Sequence, residues 1–155
     1  MIKNLKDEQS FSYIPNVKNG KELRILIVDD SYLNCKVLTR LLQIFSKNIN
    51  QNFDITEVSD GLIAVEYVKK SLEISSHYDF IFMDYIMTDL HGPEAVKQIR
   101  GLNYQGFIIG VTGNIIDDDL NYFYNCGVNE ILTKPIIESK LKDIFIRLLP
   151  EIDSA

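Results

Sequence analysis

Short apolar runs alternate with longer segments of helical periodicity along most of the chain. The five apolar runs are of strand length: "LRILIVD", "FDITEVS", "YDFIFMD", "GFIIGVT" and "NEILTKP". Each is followed by a segment with apolar residues at helical spacing: "SYLNCKVLTRLLQIFS", "DGLIAVEYVKKSLE", "GPEAVKQIR", "IIDDDLNYFYNCG" and "IESKLKDIFIRLL". This strict alternation predicts an α/β fold, a doubly wound five-stranded parallel sheet with helices on both faces. Strands without polar alternation fit such a sheet, since both of its faces are covered.

Helix ends and faces can be predicted from the same pattern. Ser31 stands where it can cap the first helix, and Gly127 is a plausible C-terminal cap of the fourth. In the first helix, helical spacing places Leu33, Val37, Leu41 and Phe45 on one apolar face.

Candidate functional residues end four of the five predicted strands. The first strand ends in Asp29 and Asp30, the third in Asp84, the fourth in Thr112 and the fifth in Lys134. In open α/β sheets the binding crevice lies at the carboxyl ends of the strands. Each residue alone has an ordinary explanation as a cap, as packing or as a solvated charge. Together at one edge, they predict a functional site.

Three neighbouring carboxylates repel one another unless a cation joins them. Mg²⁺, or another divalent cation such as Mn²⁺, suits such oxygen ligands and also binds phosphate oxygens. A carboxylate can then act as a nucleophile on phosphorus. The Lys134 ammonium and the Thr112 hydroxyl can neutralise and hydrogen-bond the remaining phosphoryl oxygens.

Four motifs resemble one family. "ILIVDDS", "FIFMDYIM", "GVTGN" and "ILTKPI", in this order and at these intervals, resemble the receiver domain of two-component response regulators. "VDDSYLN" and "VTGN" look most like the receivers of hybrid histidine kinases and their eukaryotic relatives. The resemblance covers about residues 23–149 and implies the flavodoxin-like (βα)5 sandwich. Residues 1–22 are expected to form an N-terminal tail or linker, and residues 150–155 a short C-terminal tail.

The resemblance implies a role for each site residue. Asp84 would be the phosphoacceptor, supplied by a histidine kinase or a histidine phosphotransfer protein. Asp29, Asp30, Asp84 and the main-chain carbonyl of Ile86 would bind the Mg²⁺. The Thr112 hydroxyl would move to meet the phosphoryl group, and Lys134, before a cis peptide to Pro135, would bridge to it. Such a domain is no conventional enzyme, but catalyses its own phosphorylation and dephosphorylation at aspartate.

The resemblance also implies an output surface, formed by the fourth helix, the fifth strand and the fifth helix, that contacts a downstream protein. Ile131 departs from the family, because many receivers have an aromatic residue at that position whose rotation is coupled to the threonine. Ile86 and Asn114 occupy positions that tend to set the hydrolysis rate in the family. We expect the apolar Ile86 to lengthen the life of the phosphorylated form.

Other functions fit the loops after the first and third strands less well. A haloacid-dehalogenase-type phosphatase needs an acid two residues after its nucleophile, where this chain has Ile86. A nucleotide-binding enzyme needs glycines in "DDSYLN", and a flavodoxin-like FMN protein needs Ser, Thr or Gly there. The alternative that stays open is a degenerate receiver, which acts as a phosphorylation-independent interaction module.

Composition and charge narrow the range of binding partners and locations that we expect for this chain. The chain has 155 residues and a net charge of −6, which gives no general attraction to nucleic acid or to anionic membranes. We therefore expect no direct binding to either. There is no apolar stretch of the roughly 18–20 residues that span a bilayer, and the start is too polar for a signal peptide. Cys35 and Cys126 fit a reduced compartment. The expected location is cytoplasmic, for a free-standing protein or for part of a membrane-bound hybrid kinase.

Overall fold

Strands and helices alternate throughout residues 20–150, which are the part of the chain that this computed structural model describes. The strands are β1 (Leu23–Val28), β2 (Phe53–Val58), β3 (Phe80–Asp84), β4 (Phe107–Thr112) and β5 (Glu130–Thr133). The helices are α1 (Tyr32–Asn48), α2 (Gly61–Glu73), α3 (Gly92–Gly101), α4 (Asp117–Cys126) and α5 (Glu138–Leu148). The predicted order and type of the elements are confirmed, with ends that differ by a few residues.

The five strands form one parallel sheet in the order β2-β1-β3-β4-β5. The chain passes from β1 outward to β2 and then returns to the other side of β1 to form β3. The register pairs Val28 with Met83, Asp84 with Val111, and Thr112 with Thr133. The carboxyl ends of β1, β3, β4 and β5 therefore lie along one edge, and β1 and β3 flank the point where the strand order reverses.

Each face of the sheet is covered by an apolar layer. The layer under α1 and α5 contains Ile25, Ile27, Leu42, Phe82 and Phe145. The layer under α2, α3 and α4 contains Leu26, Val28, Val68, Ile99 and Phe123. Because successive residues of a strand point to opposite faces, β3 and β4 are buried at every position. The edge strand β2 is covered less completely.

The apolar face predicted for α1 is confirmed at Leu41 and Phe45, which pack in the core, and is wrong at Leu33 and Val37. The core side of this helix is formed by Cys35, Leu38, Leu42 and Phe45. Leu33 and Val37 are 70% and 45% exposed. Both stripes have apolar residues at helical spacing, so the spacing alone does not determine how the helix is rotated against the sheet.

The predicted caps are confirmed. The side chain of Ser31 accepts a hydrogen bond from the backbone N–H of Asn34 at 3.3 Å, which starts α1. Gly127 ends α4 with a φ of 124°, a conformation that favours glycine.

The predicted tails fall largely beyond this part of the chain, since residues 1–19 and 151–155 lie outside the described residues. Among the helices of residues 20–150, none is long and apolar enough to cross a membrane.

Candidate functional site

The two acids after β1 differ in exposure. Asp29 is buried, and its Oδ1 accepts a hydrogen bond from the backbone N–H of Ser31 at 2.8 Å. Asp30 is exposed to solvent. The turn into α1 thus fixes the buried carboxylate while its neighbour stays accessible from outside.

Asp84 ends β3 in the middle of the edge and is only 5% exposed. Lys134, directly after β5, donates a hydrogen bond from Nζ to Oδ1 of Asp84 at 2.8 Å. The same Nζ lies 3.8 Å from Oδ2 of Asp29. The backbone N–H of Lys134 donates to the carbonyl of Thr112 at 2.8 Å, and the Lys134–Pro135 peptide is cis, as expected. Lys134 therefore joins the carboxyl ends of β1, β3 and β5 through its contacts with Asp29 and Asp84.

The carboxylates of Asp29, Asp30 and Asp84 form a cluster in which one oxygen from each lies within 4.8 Å of the others. Burial raises the pKa of Asp84, the hydrogen bond from Lys134 opposes this, and the charge of Asp29 adds to the increase. One ammonium group thus compensates the acidic cluster only in part. Three oxygen donors of this kind fit a hard divalent cation such as Mg²⁺.

Thr112 ends β4 beside this cluster and is 2% exposed. Its Oγ1 accepts a hydrogen bond from the backbone N–H of Asn114 at 3.0 Å and lies 3.5 Å from the carbonyl oxygen of Asn114. The hydroxyl therefore bonds to the loop after β4, while the bonded partner of Asp84 is Lys134.

The loop after β3 lies at the same edge of the sheet. Ile86 is 66% exposed, two residues beyond Asp84. The ligand role of its carbonyl stays a prediction. Ile131, in β5, is partly buried and packs against the apolar layer of α2, α3 and α4.

Two features at this edge of the sheet are not predicted from the sequence. Gly92 approaches the strand so closely that a Cβ at this position would overlap the carbonyl oxygen of Asp84. Its N–H donates to the carbonyl of Tyr85 at 2.8 Å. Asn114 links the loop to Asp119 of α4 through its side chain. A glycine at the first position of a helix was the available signal for the first feature. For Asn114, the signal was an amide just before a helix that begins with acids.

The fold and the cluster of acids with one lysine are those of a receiver domain. Residues 25–146 match the family described as the response regulator receiver domain. The chain belongs to this family, the receiver domains of two-component phosphorelay systems.

Several curated relatives support the assignment. Two-component response regulator 24 of Arabidopsis thaliana is 31% identical over 141 residues, which are 91% of this chain and 94% of the relative. Transcription factor SKN7 of Saccharomyces cerevisiae is 30% identical over 155 residues, 97% of this chain. The osmosensing histidine protein kinase SLN1 of the same yeast is 33% identical over 136 residues, 84% of this chain. The chain spans only 23% of SKN7 and 11% of SLN1.

Solved structures show the same fold. The receiver domain of a sensor histidine kinase from Pseudomonas aeruginosa, with a magnesium ion coordinated in its active site cleft, matches with a TM-score of 0.69 and 27% identity. That match covers 84% of this chain and 99% of the bacterial domain. The chemotaxis protein CheY4 of Vibrio cholerae matches with a TM-score of 0.70 and 22% identity, over 83% of this chain and all of the other. This second likeness concerns the fold alone.

Proposed function

We propose that this domain accepts a phosphoryl group on Asp84 from the phosphohistidine of a histidine kinase or of a histidine phosphotransfer protein, in a reaction that needs Mg²⁺ or another divalent cation such as Mn²⁺. The observation that supports this proposal is the position of Asp84. It is the buried carboxylate that bonds to Lys134 at 2.8 Å and shares a cluster with Asp29 and Asp30.

In the proposed reaction, a carboxylate oxygen of Asp84 attacks phosphorus. The new oxygen–phosphorus bond forms as the phosphorus–nitrogen bond breaks, and the imidazole leaves with that electron pair and takes a proton from solvent. Lys134 neutralises one phosphoryl oxygen, and the Thr112 hydroxyl donates to another after leaving the Asn114 loop.

Asp29 and Asp30, together with Asp84 and the carbonyl of Ile86, would bind the cation. The bound cation would supply the positive charge that the phosphoryl oxygens need at a site with three acids. The exposed position of Asp30 supports this assignment, because it leaves room for water ligands. The magnesium ion of the Pseudomonas aeruginosa receiver is a further support.

The output is proposed to pass through the surface formed by α4, β5 and α5. SKN7 is a transcription factor and SLN1 is a histidine protein kinase, so receivers occur in both kinds of protein. We propose that a downstream protein contacts this surface once the charge at Asp84 has changed. Residues 1–22 and 150–155 would lie outside the working domain as a linker and a tail.

The test is chemical phosphorylation. The purified chain is incubated with Mg²⁺ and acetyl phosphate or phosphoramidate, and the added mass is measured on the intact protein. We expect labelling in the parent and in Asp89→Asn, which removes an exposed acid of the same loop, and none in Asp84→Asn. Omitting the divalent cation should abolish labelling.

A second candidate is the phosphorylation-independent docking module, which one observation favours. Ile131 has no ring that could rotate between buried and exposed positions, so the usual aromatic part of the switch is lost. Equal labelling of the parent and Asp84→Asn, or no labelling of either, would favour this second function.

A further inference from the structure

The Thr112 hydroxyl has one set of partners in this structure and would have another in the proposed phosphorylated form. In this structure it accepts from the N–H of Asn114 at 3.0 Å and has the Asn114 carbonyl within 3.5 Å. A threonine has one O–H donor. To donate to a phosphoryl oxygen on Asp84, the hydroxyl must therefore give up its contact with the carbonyl of Asn114. The stability of the loop conformation at Asn114 sets the cost of this change.

The side chain of Asn114 fastens that loop to the start of α4. Its Nδ2 donates to Oδ2 of Asp119 at 2.5 Å, and its Oδ1 accepts from the N–H of Ile116 at 2.9 Å. Both ends of the amide are thus bonded. A continuous series of hydrogen bonds runs from Thr112 through Asn114 to Asp119, in the first turn of α4.

The acids of this turn differ in their contacts. Asp117 and Asp118 are exposed, whereas Asp119 is half-buried and bonds to Asn114. All three lie at the N-terminus of a helix, where a negative charge is favoured by the helix dipole. The helix dipole therefore favours the charge of all three residues, whereas the hydrogen bond to the loop is made by Asp119.

This series of bonds matters more here than in a receiver with the usual aromatic. Ile131 is packed into the apolar layer and offers neither a hydroxyl nor a rotating ring. The coupling between the site and α4 then depends on the hydrogen bonds that join them directly. Asn114 makes both of these bonds, one to Thr112 and one to Asp119.

We propose that Asp119 is a positioning residue that acts through Asn114: it fastens the loop that keeps the Thr112 hydroxyl away from Asp84 and so opposes the phosphorylated conformation. The inference rests on the proposed function of Asp84. Loss of the Asp119 carboxylate frees the loop and lowers the cost of moving Thr112. Conversely, a phosphoryl group that attracts Thr112 weakens the bond between Asn114 and Asp119.

The experiment measures the binding of beryllium fluoride, a phosphoryl analogue, in the presence of Mg²⁺ by titration of the full chain. Asp119→Ala should bind it roughly 3- to 10-fold more tightly than the parent, the effect of one net hydrogen bond. Asp118→Ala is the matched control, because it removes an equal charge from the same helical turn without touching Asn114, and it should bind like the parent. Asp119→Asn retains an acceptor oxygen and should restore binding close to that of the parent.

A second readout follows the loop itself. The side-chain amide signals of Asn114 in nitrogen–proton NMR spectra should shift when Asp119 is replaced by alanine, and should shift in the same direction when the parent binds beryllium fluoride. Asn114→Ala should tighten binding at least as much as Asp119→Ala does, because it also removes the bond to Ile116, and the double variant should gain nothing beyond Asn114→Ala.

The outcomes are distinct. Equal or weaker binding by Asp119→Ala than by Asp118→Ala, or additive effects in the double variant, overturns the inference about Asp119. Failure of the parent to bind beryllium fluoride in the presence of Mg²⁺ counts instead against the proposed function.

Discussion

At the scale of single residues, Asp84 is a carboxylate whose ionisation the fold disfavours. Burial raises its pKa above the usual 3.8, Lys134 opposes the increase, and the charge of Asp29 adds to it. A carboxyl group whose pKa is higher in the folded state than in the unfolded state stabilises the fold when the group is protonated. That contribution is fully present below pH 3.8 and is lost as the pH rises through the raised pKa.

The consequence is a stability prediction for the cation-free protein. In buffer with a chelator at pH 7, Asp84→Asn should melt about 2–4 °C above the parent, because it removes the disfavoured charge. The difference should shrink as the pH falls toward the usual aspartate pKa of 3.8, because Asp84 of the parent is then protonated. Thermal unfolding followed by circular dichroism measures both effects.

The control for this prediction is Asp89→Asn, whose exposed carboxylate should leave the melting temperature nearly unchanged. A parent that is more stable than Asp84→Asn at pH 7 without divalent cations would show that the bond from Lys134 outweighs both burial and repulsion.

The site residues differ in how far the sequence predicts them. Asp29, Asp84 and Lys134 follow from the apolar runs, since the carboxyl ends of parallel strands share one edge. The bond between Asn114 and Asp119 depends on the conformation of a loop, for which the sequence has no periodic signal.

At the scale of elements, α1 shows how periodicity can indicate a helix without indicating its rotation. The predicted stripe of Leu33, Val37, Leu41 and Phe45 is apolar at helical spacing, and so is the stripe of Leu38, Leu42 and Phe45. The packing against β1 and α5 selects the second, with Phe45 in contact with the ring of Phe145 at a centroid distance of 4.9 Å. The exposed end of α1 lies beside the acids after β1.

The contact between α3 and β3 yields a second prediction. Gly92→Ala should destabilise the fold by about 1–3 kcal/mol, because the new methyl group overlaps the backbone carbonyl of Asp84. Displacement of this backbone should also slow labelling by acetyl phosphate. Urea unfolding measures the first effect, and the mass of the intact protein measures the second.

Gly101→Ala provides the matched control on the same helix. It ends α3, and outside its own turn of helix no atom lies within 4 Å of a Cβ at this position, so the added methyl group meets open space. Its stability should equal or exceed that of the parent, by up to about 1 kcal/mol. Equal losses in the two variants would show that the close approach at position 92 does not govern stability.

At the scale of the whole molecule, the site exists only in the folded chain. Asp29 and Asp30 directly follow β1, whereas Asp84 ends β3, which pairs with β1 only after α1, β2 and α2 have intervened in the sequence. A cation that binds this cluster therefore binds the native state and not the unfolded chain, and it must stabilise the fold.

Magnesium should accordingly raise the melting temperature of the parent as its concentration increases. The stabilisation amounts to about 2.7 kcal/mol when the free cation is at 100 times its dissociation constant. Asp30→Asn should reduce this shift strongly while altering the cation-free stability little, because Asp30 is exposed. Scanning calorimetry across a magnesium series tests this prediction.

Asp118→Asn, an exposed acid outside the cluster, should retain the full magnesium shift. The same shift in Asp30→Asn as in the parent would exclude Asp30 as a ligand.

The fold as a whole was predictable from alternation, because five strand–helix units with apolar strands fit a covered parallel sheet. The alternation does not specify the strand order β2-β1-β3-β4-β5, since a strand can pair on either side of its predecessor. The strand order is determined by the packing of the two apolar layers on the faces of the sheet, because these layers join residues that are distant in the sequence.

The edge position of β2 has a practical consequence for following this domain in solution. Neither β2 nor α2 supplies any of the side chains assigned to phosphoryl or cation binding, and Ile74, directly after α2, is 67% exposed. Both native cysteines are buried. A single thiol introduced as Ile74→Cys can therefore be modified selectively with a fluorophore, which would report on the domain without entering its chemistry.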